Sequence, residues 1–128
     1  MQPTANFDPK ATAKKLMREA RSGALATLMA GSGDPYCSLV NVATAVDGAP
    51  LLLISRLAVH TKNVLADPRA SLMLDERKEG DPLQGARVML MGAVAQTMFK
   101  YVFGMAAQKE RVTELLDDGA EAGKTIIF

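Results

Sequence analysis

Residues 55 to 74 read "SRLAVHTKNVLADPRASLML" and gather three hydroxyls (Ser55, Thr61, Ser71), three cations (Arg56, Lys62, Arg69) and the chain's single histidine, His60, into one short stretch. If "LLLIS" is a strand and "TKNVLAD" one or two helical turns, Ser55 and Arg56 lie at the strand's end and His60, Thr61 and Lys62 at the helix's start. Both ends then converge on one spot. A helix start presents unpaired backbone N–H groups and the positive end of the peptide dipole, which together bind anions. Arg56 adds a planar fork suited to phosphate, Lys62 a mobile point charge, and the hydroxyls further donors. The same residues also fit a plainer reading, with Thr61 as a helix cap, Arg56 and Lys62 solvated and His60 a loop residue. Spacing leaves both open.

The rest of the chain bounds what such a site can belong to. A chain of 128 residues makes one domain and buries roughly two-thirds of its unfolded surface on folding. The net charge is +1, so no global field draws in nucleic acid or an anionic membrane, and any anion site is local. The N-terminal stretch "MQPTANFDPKATAKKLMREARSG" has no apolar core of a signal sequence, and no later run is long enough to span a bilayer. A single cysteine, Cys37, allows no internal disulfide and fits a reducing cytoplasm, the expected compartment. One cysteine and one histidine do not make a structural zinc site, so no metal site is expected.

The elements that position the segment are punctuated by Asp-Pro. Four of the six prolines (Pro9, Pro35, Pro68 and Pro82) follow an aspartate, a pair that caps or turns the chain. Asp8 and Pro9 open a helix predicted to run to Ser22, stopped by Gly23 in the left-handed region, with Ala13, Leu16, Met17 and Ala20 as its apolar stripe. Its basic row, Lys14, Arg18 and Arg21, is read as a solvated face. Strand periodicity follows in "ALATLMA", "YCSLVNVATAV" and "LLLIS", joined by the turns "GSGDP" and "DGAP" into an antiparallel meander. In the middle strand Tyr36, Ser38, Val40 and Val42 share one face, and Cys37, Leu39, Asn41 and Ala43 the other. "RASLMLD" is a fourth strand and "ERKEGDPLQG" an exposed loop. "ARVMLMGAVAQT" is a fifth strand, in which Gly92 marks a bulge or a close backbone approach. The expected architecture is mainly β, a small closed or half-closed barrel with flanking helices. Its parts are an N-terminal helix over 1–23, a barrel core over 24–97 and, over 98–128, a helix from about Ala106 to Asp117 with a "TIIF" tail.

The ordered pieces "RSGALATLMA", "PYCSLVNVATAVDGAPLLLISRLAVHTKNVLADPRASLML" and "DPLQGARVMLMGAV" resemble the pyridoxamine 5′-phosphate oxidase-like FMN-binding split-barrel superfamily. They are most similar to its branch of heme-utilisation proteins of the HugZ type, over about residues 12 to 96. The resemblance implies a six-stranded antiparallel split barrel that forms a homodimer with cofactor in the subunit interface. It implies ring or ribityl contacts at Ser38, Val40 and Asn41, and phosphate contacts at Ser55, Arg56, His60, Thr61, Lys62 and Asn63. Arg87 and Met89 would border the same cleft. The strand "CSLVNVA" lacks the oxidase's Arg-x-x-x-x-Lys pattern, so the resemblance points to a relative of that enzyme.

By this resemblance the chain is an FMN-dependent oxidoreductase acting on a small-molecule substrate, with the flavin carrying the electrons and no catalytic side chain assigned. The alternative in another class is a heme-binding or heme-utilisation protein of the same fold, in which His60 is the one histidine able to ligate iron. A deazaflavin is a third cofactor of the same general shape. Nucleic-acid binding is not expected, since no row of aromatics offers a stacking platform.

Overall fold

The computed structural model of the chain describes residues 6–76, 79–96 and 125–127. Helix α1 spans Pro9–Glu19, and the Asp8 carboxylate accepts hydrogen bonds from the backbone N–H of Lys10 (3.0 Å) and Ala11 (3.1 Å). Proline occupies the first helical turn, where its missing N–H costs nothing. The helix stops earlier than its periodicity predicts. Ala20 already has extended backbone, and Gly23 lies inside the next strand with no positive φ. The reason for a glycine there is lateral space: a Cβ at Gly23 would stand 2.8 Å from a Leu74 methyl, 2.9 Å from one of Leu72 and 3.0 Å from the Met73 carbonyl oxygen.

Strands β1 (Ser22–Leu28), β2 (Pro35–Thr44) and β3 (Pro50–Ser55) form the expected meander. Helix α2 (Val59–Ala66) then carries the chain past β2 and β1, so that β4 (Arg69–Asp75) pairs with the far side of β1 and β5 (Arg87–Ala93) with β4. The five strands are antiparallel throughout, in the order β5-β4-β1-β2-β3, and the segment Thr125–Ile127 lies antiparallel against β3. Gly92 pairs in unbroken register with Ala70 and has open space where its Cβ would be, so it marks neither a bulge nor a close approach. The C-terminal helix read from the sequence lies outside the described residues. No described helix is long and apolar enough to cross a membrane.

Period-two alternation sends Leu25, Val40, Val42, Leu52, Leu72 and Leu74 to one face of the sheet, where Leu16 of α1 and Val64 of α2 complete the core. Thr44, fully buried, donates from its hydroxyl to the Met17 carbonyl at 2.7 Å and ties β2 to α1. Leu52 of β3 and Leu90 of β5 line one apolar cavity of about 350 Å³ with Met17 and Leu25. The sheet therefore curls until its outer strands face a common space. Mainly β architecture with flanking helices stands as expected.

Truncating the most enclosed of these residues, Leu74→Ala, is expected to lower unfolding free energy by about 2–5 kcal/mol in urea titrations. Gly23→Val is expected to cost about 1–3 kcal/mol by overpacking against Leu72 and Leu74. A neutral Gly23→Val would contradict the close approach of β1 and β4.

Candidate functional site

The site segment is shaped by the way β3 hands over to α2. The Ser55 hydroxyl accepts the Leu57 N–H at 3.2 Å, and the Ala58 N–H reaches the Ser55 carbonyl at 3.2 Å, closing a tight turn. The Thr61 hydroxyl donates to that same carbonyl, so Thr61 braces the turn from within the helix and is not its cap. The capping position falls on Ala58, and no side chain caps the first turn of α2. Helix α2 starts two residues earlier than expected, which puts His60, Thr61, Lys62 and Asn63 inside it.

The candidate residues divide by direction. Thr61 (0 % exposed) and Asn63 (1 % exposed) point inward. The Asn63 amide donates to the Thr27 hydroxyl at 3.1 Å and to the Met29 sulfur at 3.6 Å, and accepts the Ala30 N–H at 3.0 Å. Its polar atoms are engaged with β1 and the turn that follows it. Val40 is buried in the core, and Asn41 is exposed on the opposite face of β2 from Ser38. Arg56 and Lys62 are exposed, and neither forms an ion pair among the described residues. Arg69 is set apart: its guanidinium grips Asp67 through contacts of 2.7 and 3.0 Å, which hold the Asp67 carboxyl below its usual range.

His60 and Ser38 meet. The Ser38 hydroxyl lies 3.0 Å from His60 Nδ1, joining the outer half of β2 to the first turn of α2. Partial burial pushes the ring's pKa below its ordinary value of 6.5, so imidazole is the neutral form at physiological pH. The structure thus brings Ser38 to His60, with Ser55 and Arg56 in the turn that leads into α2 and Lys62 within that helix. Arg87 and Met89 sit on β5, at the other end of the strand order, and do not join them within one chain.

Two features escaped the sequence reading. Leu57 (71 % exposed) and Val59 (41 % exposed) flank the histidine as bare apolar groups. On the outer face of the sheet, strand register aligns Met89, Met73, Ala24 and Leu39 in one row and Met91, Ser71, Ala26 and Cys37 in the next. Leu39 is 68 %, Met89 58 % and Met91 82 % exposed, so this face is apolar and uncovered among the described residues. The period-two spacing of Met89 and Met91 along β5 was the signal available for it.

A family model described as pyridoxamine 5′-phosphate oxidase matches residues 9–116. The chain belongs to the pyridoxamine 5′-phosphate oxidase family. Within that family's fold, the solved structure of a heme binding protein from Mycobacterium smegmatis superposes with a TM-score of 0.80 and 26 % identity, over 97 % of this chain and 51 % of that one. HutZ, the heme storage protein of Vibrio cholerae, superposes with a TM-score of 0.74 at 21 % identity, over 94 % of this chain and 87 % of that one, which shows the shared fold. The noncanonical heme oxygenase HOZ, a chloroplastic protein of Arabidopsis thaliana, is 42 % identical over 60 residues, 47 % of this chain and 18 % of that protein. This member of the pyridoxamine 5′-phosphate oxidase family thus spans about half the length of the mycobacterial protein and about a fifth of the plant protein.

Two outcomes follow from the bonds at α2. Asn63→Ala leaves the Thr27 hydroxyl and the Ala30 N–H without their partner, and is expected to cost about 1–3 kcal/mol in denaturant unfolding. For His60 the folded pKa lies below the unfolded one, so in the window below 6.5 the unfolded chain binds more protons. Its contribution to stability is complete above that value and falls as pH drops through it. The single histidine gives one ring signal in NMR, whose titration midpoint is expected below 6.5; a midpoint at or above it would refute the burial argument.

Proposed function

We propose that the chain is a heme-binding protein that works as a homodimer, with the start of α2 as the heme contact. The observation that carries this reading is the make-up of that turn. Exposed Leu57 and Val59, cationic Arg56 and Lys62, and a neutral imidazole fall within seven consecutive positions. Heme needs the same three things: apolar contact for its macrocycle, cations for its two carboxylates and a nitrogen for its iron. The names of the mycobacterial, Vibrio and Arabidopsis relatives support the same ligand. The uncovered outer face of the sheet supports a second copy of the chain as partner, since exposed apolar faces of this kind mark subunit contacts. In this reading the curled sheet and the segment Thr125–Ile127 belong to a six-stranded split barrel.

A flavin reading rests on a different observation. With no side chain capping the first turn of α2, its N–H groups and the two cations are available to the phosphate of FMN or of a deazaflavin. In that case the protein is a flavin-dependent oxidoreductase with a small-molecule substrate.

Parallel titrations of the purified protein with hemin and with FMN decide between them. Hemin is expected to give a saturable Soret band, and Arg56→Ala with Lys62→Ala to weaken its binding about tenfold or more. FMN uptake with no hemin response would replace the heme reading by the flavin one. Sedimentation is expected to show a dimer that Leu39→Asp with Met89→Asp converts to monomer; an unperturbed dimer would move the interface elsewhere.

A further inference from the structure

The heme reading leaves open which atom of the chain meets the iron. We propose that His60 Nε2 is the axial ligand and that Ser38 is its positioning residue. This inference rests on the heme reading and adds a ligand to it.

The first argument is inventory. The sequence has one histidine, and among the described residues Cys37, Met73, Met89, Met91 and Asp67 are placed elsewhere. Cys37 projects from the opposite face of β2 to Ser38, into the row shared with Ala26, Ser71 and Met91. Met73, Met89 and Met91 lie on that same outer face. Asp67 is held by Arg69.

The second argument is the ring's own bonding. Nδ1 is engaged with the Ser38 hydroxyl at 3.0 Å, and no hydrogen bond to Nε2 is formed among the described residues. The hydroxyl can act toward Nδ1 as donor or acceptor, and the two choices place opposite groups on Nε2. When Ser38 donates, Nε2 carries the proton and cannot bind a metal. When Ser38 accepts from Nδ1–H, Nε2 keeps a free lone pair, the tautomer a metal-bound imidazole needs. A hydroxyl rotates between these roles without moving a heavy atom, so iron selects a tautomer and the scaffold stays still.

The third argument is rigidity. The ring sits one helical turn before Asn63, whose amide is bonded to β1 and its following turn, and next to Thr61, bonded back to Ser55. A ligand on a braced helix turn keeps its direction without a loop having to fold over it. Leu57 and Val59 beside it are apolar and exposed, the surroundings a macrocycle centred on that nitrogen would cover.

The test is resonance Raman and absorption spectroscopy of the hemin-loaded full chain, with hemin affinity read from the Soret titration. Wild type is expected to show an iron–imidazole stretching band in the ferrous state. His60→Ala is expected to lose the band, to bind hemin roughly tenfold or more weakly and to regain the band when free imidazole is added. Ser38→Ala is expected to keep the ligand but shift the band, a change that a purely structural role for the hydroxyl would not produce. Circular dichroism checks that each variant is folded, and His60→Gln serves where the alanine variant is not. Hemin binding with unchanged affinity and Soret spectrum in the His60 variants, or a hemin-loaded wild type without the iron–imidazole band, would overturn the ligand assignment and leave the heme reading intact. A wild-type chain that shows an iron–thiolate signature in place of the iron–imidazole band, lost in Cys37→Ser, would assign the thiol instead. A wild-type chain that gives no Soret response would remove both the assignment and the heme reading.

Discussion

Asn63 is a buried amide whose partners all lie outside its own helix, and the placement of the site depends on it. Its nitrogen donates to Thr27 in the middle of the sheet and its oxygen takes the Ala30 N–H as the chain leaves β1. Those two bonds fix how far α2 is rotated about its axis. With Asn63 and Val64 inward, Lys62 and Leu65 must point outward, and His60 is left at the margin where it reaches Ser38. An apolar residue could fill the same volume, but would leave the buried Thr27 hydroxyl and the part-buried Ala30 N–H without this partner, a larger loss than the bonds' own net worth. The polar core residue therefore selects one orientation of the helix among several that hydrophobic burial alone would accept.

The sheet does the complementary work of separating two surfaces. Its inner face is a continuous apolar core from Leu16 to Leu74, and its outer face is a second apolar array that the described residues do not cover. β2 links the two because its alternation breaks down along its length: residues 35–41 alternate, whereas Val42, Ala43, Thr44 and Ala45 are all buried. The half that alternates carries both Ser38, turned toward His60, and Leu39, turned toward the outer array. One strand thus carries Ser38 on the face of the candidate site and Leu39 on the uncovered apolar face, one residue apart.

Much of this was legible in the residues. The Asp-Pro punctuation located the first helix and several turns, because proline and aspartate act locally whatever packs around them. Period-two alternation gave the meander and the faces of β2. The errors concern glycine and the start of α2. Gly23 was read as a helix stop from its place after a basic turn, yet the constraint on it is contact with Leu72 and Leu74, some fifty residues further along the chain, which no local pattern encodes. Thr61 and Asn63 have the right types for an anion cradle, and only the partners Ser55 and Thr27 show that both turn inward. The pairing of Met73 with Met89 was similarly hidden until the β4–β5 register was known.

The composition of the exposed groups bears on the ligand more directly than the cluster's charge does. A phosphate is satisfied by Arg56, Lys62 and the first amides of α2, and it makes no use of Leu57, Val59 or the imidazole. Leaving two apolar side chains in water beside a charge site gains nothing for phosphate binding, whereas an amphiphilic disc covers them at about 25 cal/mol per Å² of apolar surface removed from solvent. The two inward polar residues sharpen the contrast. Once Thr61 and Asn63 are withdrawn from the list of donors, the turn has lost much of what would make it a phosphate cradle and kept what suits a macrocycle bearing two carboxylates. On the proposed reading the anion is a carboxylate on an apolar ligand, and the histidine between the two cations in sequence gains a reason to be there.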